Sequence, residues 1–493
     1  MTPLTADEYR TLIDRALEGA VDANTTEPDL RRLFTPSSHR LALAPDVTVV
    51  KGARGTGKTY WAKALTDPRL REIAAASYLM PKLRRVEIAT GFAADRRADA
   101  AYPTKRVIAR LMRDDEFDAV DFWFTVVLMA LQVPEIAAIG DWPGRMSWVR
   151  DNPEALDDAL QEADSTAHND GMTRVLLFDA LDHLHKDRTQ ADKLVSGLLE
   201  VALELRLTTT ALRAKIFIRP DMYDSAPKKF ADASKLTANT AELTWLRENL
   251  YGLFFHQLGN YDGPGAAEFR AATSMTGSWR DEGEGRFIAP TDVIADQTRQ
   301  EAVFVDIAGP YMGTDRRKGL TYTWVPNHLQ DGNEEVSPRT WLYSLREAAV
   351  VSAERYAGHE YALHYDAIRA SLHGAARIRV EELTEDIAWA VAAVEKLEGG
   401  EVPMEPSLVI AYWDQGGLSA ALQDLAKDNA QDGQEDDGGS GPRKPADLFA
   451  VLEELIDIGV LTRRLTTGAI DLPDVYRLYF NIGRRGGVSR KKS

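Results

Sequence analysis

"VVKGARGTGKTYWAKAL", Val49 to Leu65, decides how this chain is read. Within it Gly52-Ala53-Arg54-Gly55-Thr56-Gly57-Lys58-Thr59 fits G-x-x-x-x-G-K-[ST] at every fixed position. Glycines in that spacing let the backbone turn its N–H groups inward around phosphate oxygens. Lys58 can reach the β- and γ-phosphates, and the Thr59 hydroxyl can ligate Mg²⁺. The flanks suit this reading. "DVTVV" (Asp46 to Val50) is expected to be a buried strand, and "KTYWAKAL" opens a helix whose N-terminus favours an anion. The residues expected to touch a bound nucleotide are Gly52, Ala53, Arg54, Gly55, Thr56, Gly57, Lys58, Thr59 and Tyr60.

Downstream, "TRVLLFDALDHLHKD" (Thr173 to Asp187) holds four consecutive apolar residues, Val175 to Phe178, of the kind that form a buried parallel strand. The strand should end at Asp179, with Asp182 three residues on. Such an acid stands where an α/β sheet presents ligands, and beside a phosphate loop it can hold Mg²⁺ through water. Alternatively, Asp179 caps the next helix. After an amphipathic helix (Ala191 to Leu207), "RAKIFIRPDMYD" reads as another strand, ending at Arg219 and Pro220. An arginine at that tip can point at a γ-phosphate and sense it; otherwise it is a solvated strand-end cation. "SKLTANTAELTWLRENLYGLFFHQL" (Ser234 to Leu258) adds a short strand and a helix. The element order predicts a doubly wound α/β nucleotide-binding core.

Bulk composition narrows the rest. At 493 residues, two to four domains are expected. A net charge of −17 confines any nucleic-acid contact to a local basic patch. With no cysteine, disulfides, thiolate zinc sites and cysteine nucleophiles are excluded. The N-terminus "MTPLTADEYRTLIDRAL" lacks a signal-peptide core, and "FWFTVVLMALQV" (Phe122 to Val133) is about half a membrane span, so a cytoplasmic chain without membrane partners is expected.

Elsewhere, residues 5–23 read as an amphipathic helix with Tyr9, Leu12, Ile13 and Leu17 on one face. "AASYLM" (Ala75 to Met80) and "RRVEIATGF" (Arg84 to Phe92) suggest strands, and the stripe Phe122, Trp123, Phe124 suggests core packing. Ser337-Pro338 should start a helix. Arg339 in its first turn opposes the helix dipole, which makes it a candidate phosphate contact or a surface ion pair. In "HEYALH", His359 and His364 are five apart; on a helix that is about 500° of rotation, so the side chains diverge and no metal site is expected. His183 and His185 are expected to face solvent. Residues 428–445 are acidic and glycine-rich, as in a flexible linker. Beyond them a helix carrying Leu448, Leu452 and Leu455 precedes "GVLTRR", a "TTG" turn and "AIDLPDVYRLYF", compatible with a hairpin and so with a winged helix. The final stretch holds Arg484, Arg485, Arg490, Lys491 and Lys492 without an acid; such a tail either binds nucleic-acid phosphates or is simply solvated.

"GARGTGKT", "LLFDALD" and "IFIR" together resemble P-loop ATPases of the additional-strand class, which includes AAA+ and STAND proteins, and "DALD" is similar to the acid strand of KAP-like bacterial ATPases. The resemblance implies ATP and Mg²⁺ as cofactors, a sensor role for Arg219, a lid position for Arg339, and a helical lid followed by a winged helix. Ala180 stands where many AAA+ proteins carry the catalytic glutamate, so that role carries over to Asp182. The domains expected are an N-terminal helical segment (1–44), the ATPase core (45–260), a helical lid (261–427), the linker (428–445) and a winged-helix-like module with a basic tail (446–493). Three functions compete: an ATP-driven switch acting on a partner protein, in the manner of bacterial conflict and antiphage switches; a DNA-remodelling ATPase gripping DNA through the C-terminal module; and a nucleotide-binding scaffold without turnover. Homo-oligomerisation stays open.

Overall fold

Five short apolar segments carry the fold of residues 37–244: β1 (Val49–Lys51), β2 (Val86–Phe92), β3 (Thr173–Phe178), β4 (Leu212–Ile218) and β5 (Thr240–Glu242). In this computed structural model, which describes residues 4–20, 27–94, 101–185, 187–274, 277–431 and 441–485, they form one sheet in the order β2-β3-β4-β1-β5. Every pairing in it is parallel. Leu176, Phe178, Ile216 and Phe217 are buried, as strands covered on both faces must be. The doubly wound α/β reading holds. The register sets which strand ends stand beside the phosphate loop: Lys51 lies opposite Ile218 on one side and Glu242 on the other.

Helices Lys58–Thr66, Ala119–Ala130 and Arg188–Thr208 belong to this unit. Phe122, Trp123 and Phe124 are buried in its core, and the Trp123 indole donates to the Leu194 carbonyl at 2.7 Å. The aromatic stripe is packing. "AASYLM" is not a strand. Asp67 caps a helix over Pro68–Ser77, and the alanine run continues it, because alanine is the best helix former.

Residues Met1–Pro36 and Trp245–Ser493 form the second unit, which has two cores. The N-terminal helix spans Ala6–Leu17, closed by a capping box between Thr5 and Glu8, and it buries Tyr9, Leu12, Ile13 and Leu17 against helices Arg247–Gly259 and Pro338–Arg355. Its Arg10 guanidinium, 3% exposed, donates to the carbonyls of Ala357, Tyr361 and Ala362. That loop ends at His364, so His359 and His364 are not on one helix as expected. Their rings meet edge to face at 4.5 Å, and His364 caps helix Tyr365–Glu395 through its Nδ1.

The second core joins the end of that long helix, which breaks at Ile387 (φ −139°, ψ 59°), with helices Pro406–Gln415 and Leu448–Asp457. Leu448, Leu452 and Leu455 are buried there with Trp389 and Trp413, so the packing spans both sides of residues 428–445. Of that linker, residues 432–440 lie outside the described residues, and 428–431 end a helix. The hairpin is shorter than expected, with Thr462–Arg463 against Ile470–Asp471. "AIDLPDVYRLYF" then leaves the strand: Pro473, which has no N–H to give a ladder, precedes helix Asp474–Arg477.

Candidate functional site

Where β1 ends, the chain turns at Gly52, where there is no room for a side chain. A Cβ on Gly52 would stand 2.5 Å from the Thr56 hydroxyl, and the Gly52 N–H donates to Ile218 O at 3.1 Å. Gly55 (φ 78°) and Gly57 (φ 98°) take left-handed backbone, which glycine adopts without penalty. Nothing lies within 4 Å of a Cβ built on Gly57, so the mouth of the loop is open. Lys58 is the first residue of the following helix, and its ammonium donates to the loop's own carbonyls, Gly52 O at 2.9 Å and Ala53 O at 3.1 Å. The Thr56 hydroxyl donates to Ala53 O at 2.8 Å. Arg54 is half-buried, and the Tyr60 ring packs edge-on against Trp61.

Asp179 follows β3 and lies 3% exposed beneath this loop. Its N–H donates to Phe92 O, and Ala180 after it is left-handed (φ 56°), which turns the chain sharply into Leu181–His183. Burial raises the Asp179 pKa; a hydrogen bond from the Thr59 hydroxyl and the charge of Lys58 pull the other way. Its Oδ1 is buried with no hydrogen-bond partner. A desolvated carboxylate with one unmatched oxygen, beside a threonine hydroxyl, is a fitting donor set for a hard divalent cation. Thr59 and Asp179 would hold Mg²⁺, which when bound neutralises charge on phosphate oxygens. Asp182 lies on the same turn. Desolvation works against its carboxylate, but His183, Arg219 and Lys58 outweigh it and hold its pKa below the usual range.

Arg219 leaves β4 directly beside the loop, since Ile218 pairs with Lys51. Its Nε and one terminal nitrogen donate to the two oxygens of Asp221, at 3.0 and 2.7 Å. Burial opposes the Asp221 charge, yet Arg219, Arg188 and Lys58 bring its pKa down to about 2. Arg188, first residue of helix Arg188–Thr208, stands 3.6 Å from the same carboxylate. The structure thus brings Lys58, Thr59, Asp179, Asp182 and Arg219 together. Sequence reading missed Asp221 and Arg188. A signal for Arg188 existed: it follows Asp187, a good N-cap, and puts a positive charge at the wrong end of a helix, the criterion that singled out Arg339. Arg339 itself belongs to the other unit, where it pairs with Glu382 at 3.1 Å; Ser337 holds the N-cap position there without a side-chain cap.

No family model and no curated protein matches the chain. Solved structures similar in chain course include the following three. The Aeropyrum pernix ORC2 protein in ADPNP–ADP complexes is 14% identical with a TM-score of 0.39, covering 94% of each chain. Cdc6p from Pyrobaculum aerophilum is 12% identical at 0.32, covering 93% of this chain and 95% of its own. The ADP form of the Aeropyrum protein is 14% identical at 0.30, covering 94% of each. Likenesses of this size assign no residue and no activity. Among the described residues, no helix is long and apolar enough to cross a membrane.

Proposed function

We propose that this protein is an ATP-dependent molecular switch of the additional-strand P-loop class, binding Mg²⁺–ATP at Gly52–Tyr60 and hydrolysing it under the control of a partner protein. The buried, unpartnered Asp179 oxygen beside Thr59 and Lys58 carries this reading, because a fold that served structure alone gains nothing from a desolvated, unmatched acid. Asp179 with Thr59 holds the cation's ligand shell, Asp182 orients the attacking water, and Arg219 meets the terminal phosphate. The setting proposed is a bacterial conflict or antiphage system, by analogy with the class.

For the partner, the charge at the C-terminus favours protein over DNA. Arg484 is paired with Asp471 at 2.7 Å and Asp474 at 3.0 Å, and Arg485 lies 3.7 Å from Glu401. Arg490, Lys491 and Lys492 lie outside the described residues. ATPase rates with and without duplex DNA, for wild type and Lys58→Ala, test the proposal. Lys58→Ala should lose at least about 100-fold in turnover with thermal unfolding unchanged, since lysine's point charge on the phosphates has no neutral substitute. Equal turnover in both proteins overturns the assignment; strong stimulation by DNA overturns the protein-partner reading.

A further inference from the structure

Around the loop the cations outnumber what the P-loop motif supplies. Lys58 belongs to the motif; Arg188 and Arg219 do not, and they come from two different elements. Both converge on one carboxylate, Asp221. It takes Arg219 by the fork of Nε and a terminal nitrogen, and Arg188 through the same oxygen at 3.6 Å. All three side chains are largely buried, at 13%, 15% and 16% exposure for Arg219, Asp221 and Arg188. A bidentate guanidinium–carboxylate pair fixes the orientation of the arginine, where a single contact would not. The place is also set by backbone. Ile218 O accepts the Gly52 N–H, so the residue after it, Arg219, emerges alongside the first residue of the loop.

We infer that Asp221 is a positioning residue that stages Arg219 and Arg188 at the phosphate end of the loop, so that the pair distinguishes a nucleoside triphosphate from a diphosphate. This rests on the nucleotide-binding function proposed for the loop. Lys58 serves both nucleotides, because its ammonium is set by the loop itself. Arg219 and Arg188 would act on the third phosphate alone, and Asp221 works through them rather than on the nucleotide. Keeping two guanidiniums side by side without that carboxylate would leave like charges facing each other in a poorly hydrated place. Asp221 removes that repulsion and fixes the orientation of Arg219.

Equilibrium affinities of the full-length protein for Mg²⁺–ADP and for the β,γ-imido analogue of ATP test this. The wild type should prefer the triphosphate. Asp221→Asn and Arg219→Gln should each lower that preference about tenfold, the worth of a charged hydrogen bond, with diphosphate affinity little changed. Because Asp221 acts only through the two arginines, adding Asp221→Asn to Arg219→Gln should lower the preference further by no more than the roughly threefold share of Arg188. Arg188→Gln, with only a long contact to Asp221, should lower the preference by about threefold and tests the same idea if Asp221→Asn does not fold. Additive losses in the double variant, or triphosphate and diphosphate affinities falling in step, overturn the inference and leave Asp221 a structural ion pair. A wild-type protein that binds neither probe overturns the nucleotide reading itself.

Discussion

Each of the two units buries charge, and Asp179 in one contrasts with three carboxylates in the other. In the helical unit, three deeply buried carboxylates face arginines. Asp331 meets Arg379 at 3.1 Å, Glu382 meets Arg379 and Arg339, and Asp474 meets Arg477, Arg484 and His328. In the sheet unit, Asp179 keeps one oxygen without a partner, although it is as deeply buried as these. A closed network can be structural. An open one, at the carboxyl end of a parallel sheet, is the signature of a group waiting for a ligand.

Substitution should separate the two kinds. Asp474→Ala leaves Arg477, 0% exposed, without its carboxylate, and should cost about 3–5 kcal/mol of unfolding free energy while nucleotide affinity in the sheet unit stays as it was. Asp179→Asn should do the reverse. It removes a desolvated charge, so denaturant unfolding should shift by less than about 1 kcal/mol, in either direction, while Mg²⁺-dependent nucleotide binding is lost. If both variants destabilise alike, the distinction between closed and open networks fails.

A smaller effect is read as a slope. His39 in the sheet unit and His256 in the helical unit are buried, and desolvation lowers each pKa to about 3. The folded state therefore holds them neutral while the unfolded chain takes up protons below about 6.5. Stability from each is present above that value and falls with acid from about 6.5 towards 3, by up to about 1.4 kcal/mol per pH unit for one group. His39 Nδ1 accepts from the Trp61 indole and Nε2 meets Thr244 O, a pairing that glutamine can imitate. His39→Gln should flatten the acid limb of a stability–pH curve, and an unchanged slope would mean that His39 titrates without consequence.

The smallest expected effect tests the turn after the acid. Ala180 sits at φ 56°, ψ 39°, a conformation that costs an L-residue about 1–2 kcal/mol and glycine little. Glycine's greater freedom in the unfolded chain takes back part of that gain. Ala180→Gly should raise the unfolding midpoint by the equivalent of less than about 1 kcal/mol. A loss of stability would show that the alanine methyl packs usefully there.

By itself, the sequence determined the phosphate loop, the strands on either side of it and the acid at the end of β3. Glycine's backbone freedom, a run of four apolar residues and a proline at a helix start act within a few residues of themselves, and so can be read locally. The same holds for Tyr9, Leu12, Ile13 and Leu17, whose spacing alone puts them on one helix face. Tertiary structure decided the rest. Arg188 and Asp221 are brought to one point by neighbouring elements whose order in the sheet no local pattern states. His359 and His364 diverge on a helix but touch in a loop wrapped around the Arg10 guanidinium. Leu448 and Trp413, on opposite sides of an acidic linker, share one core because burial rewards any apolar surface within reach, however far apart along the chain.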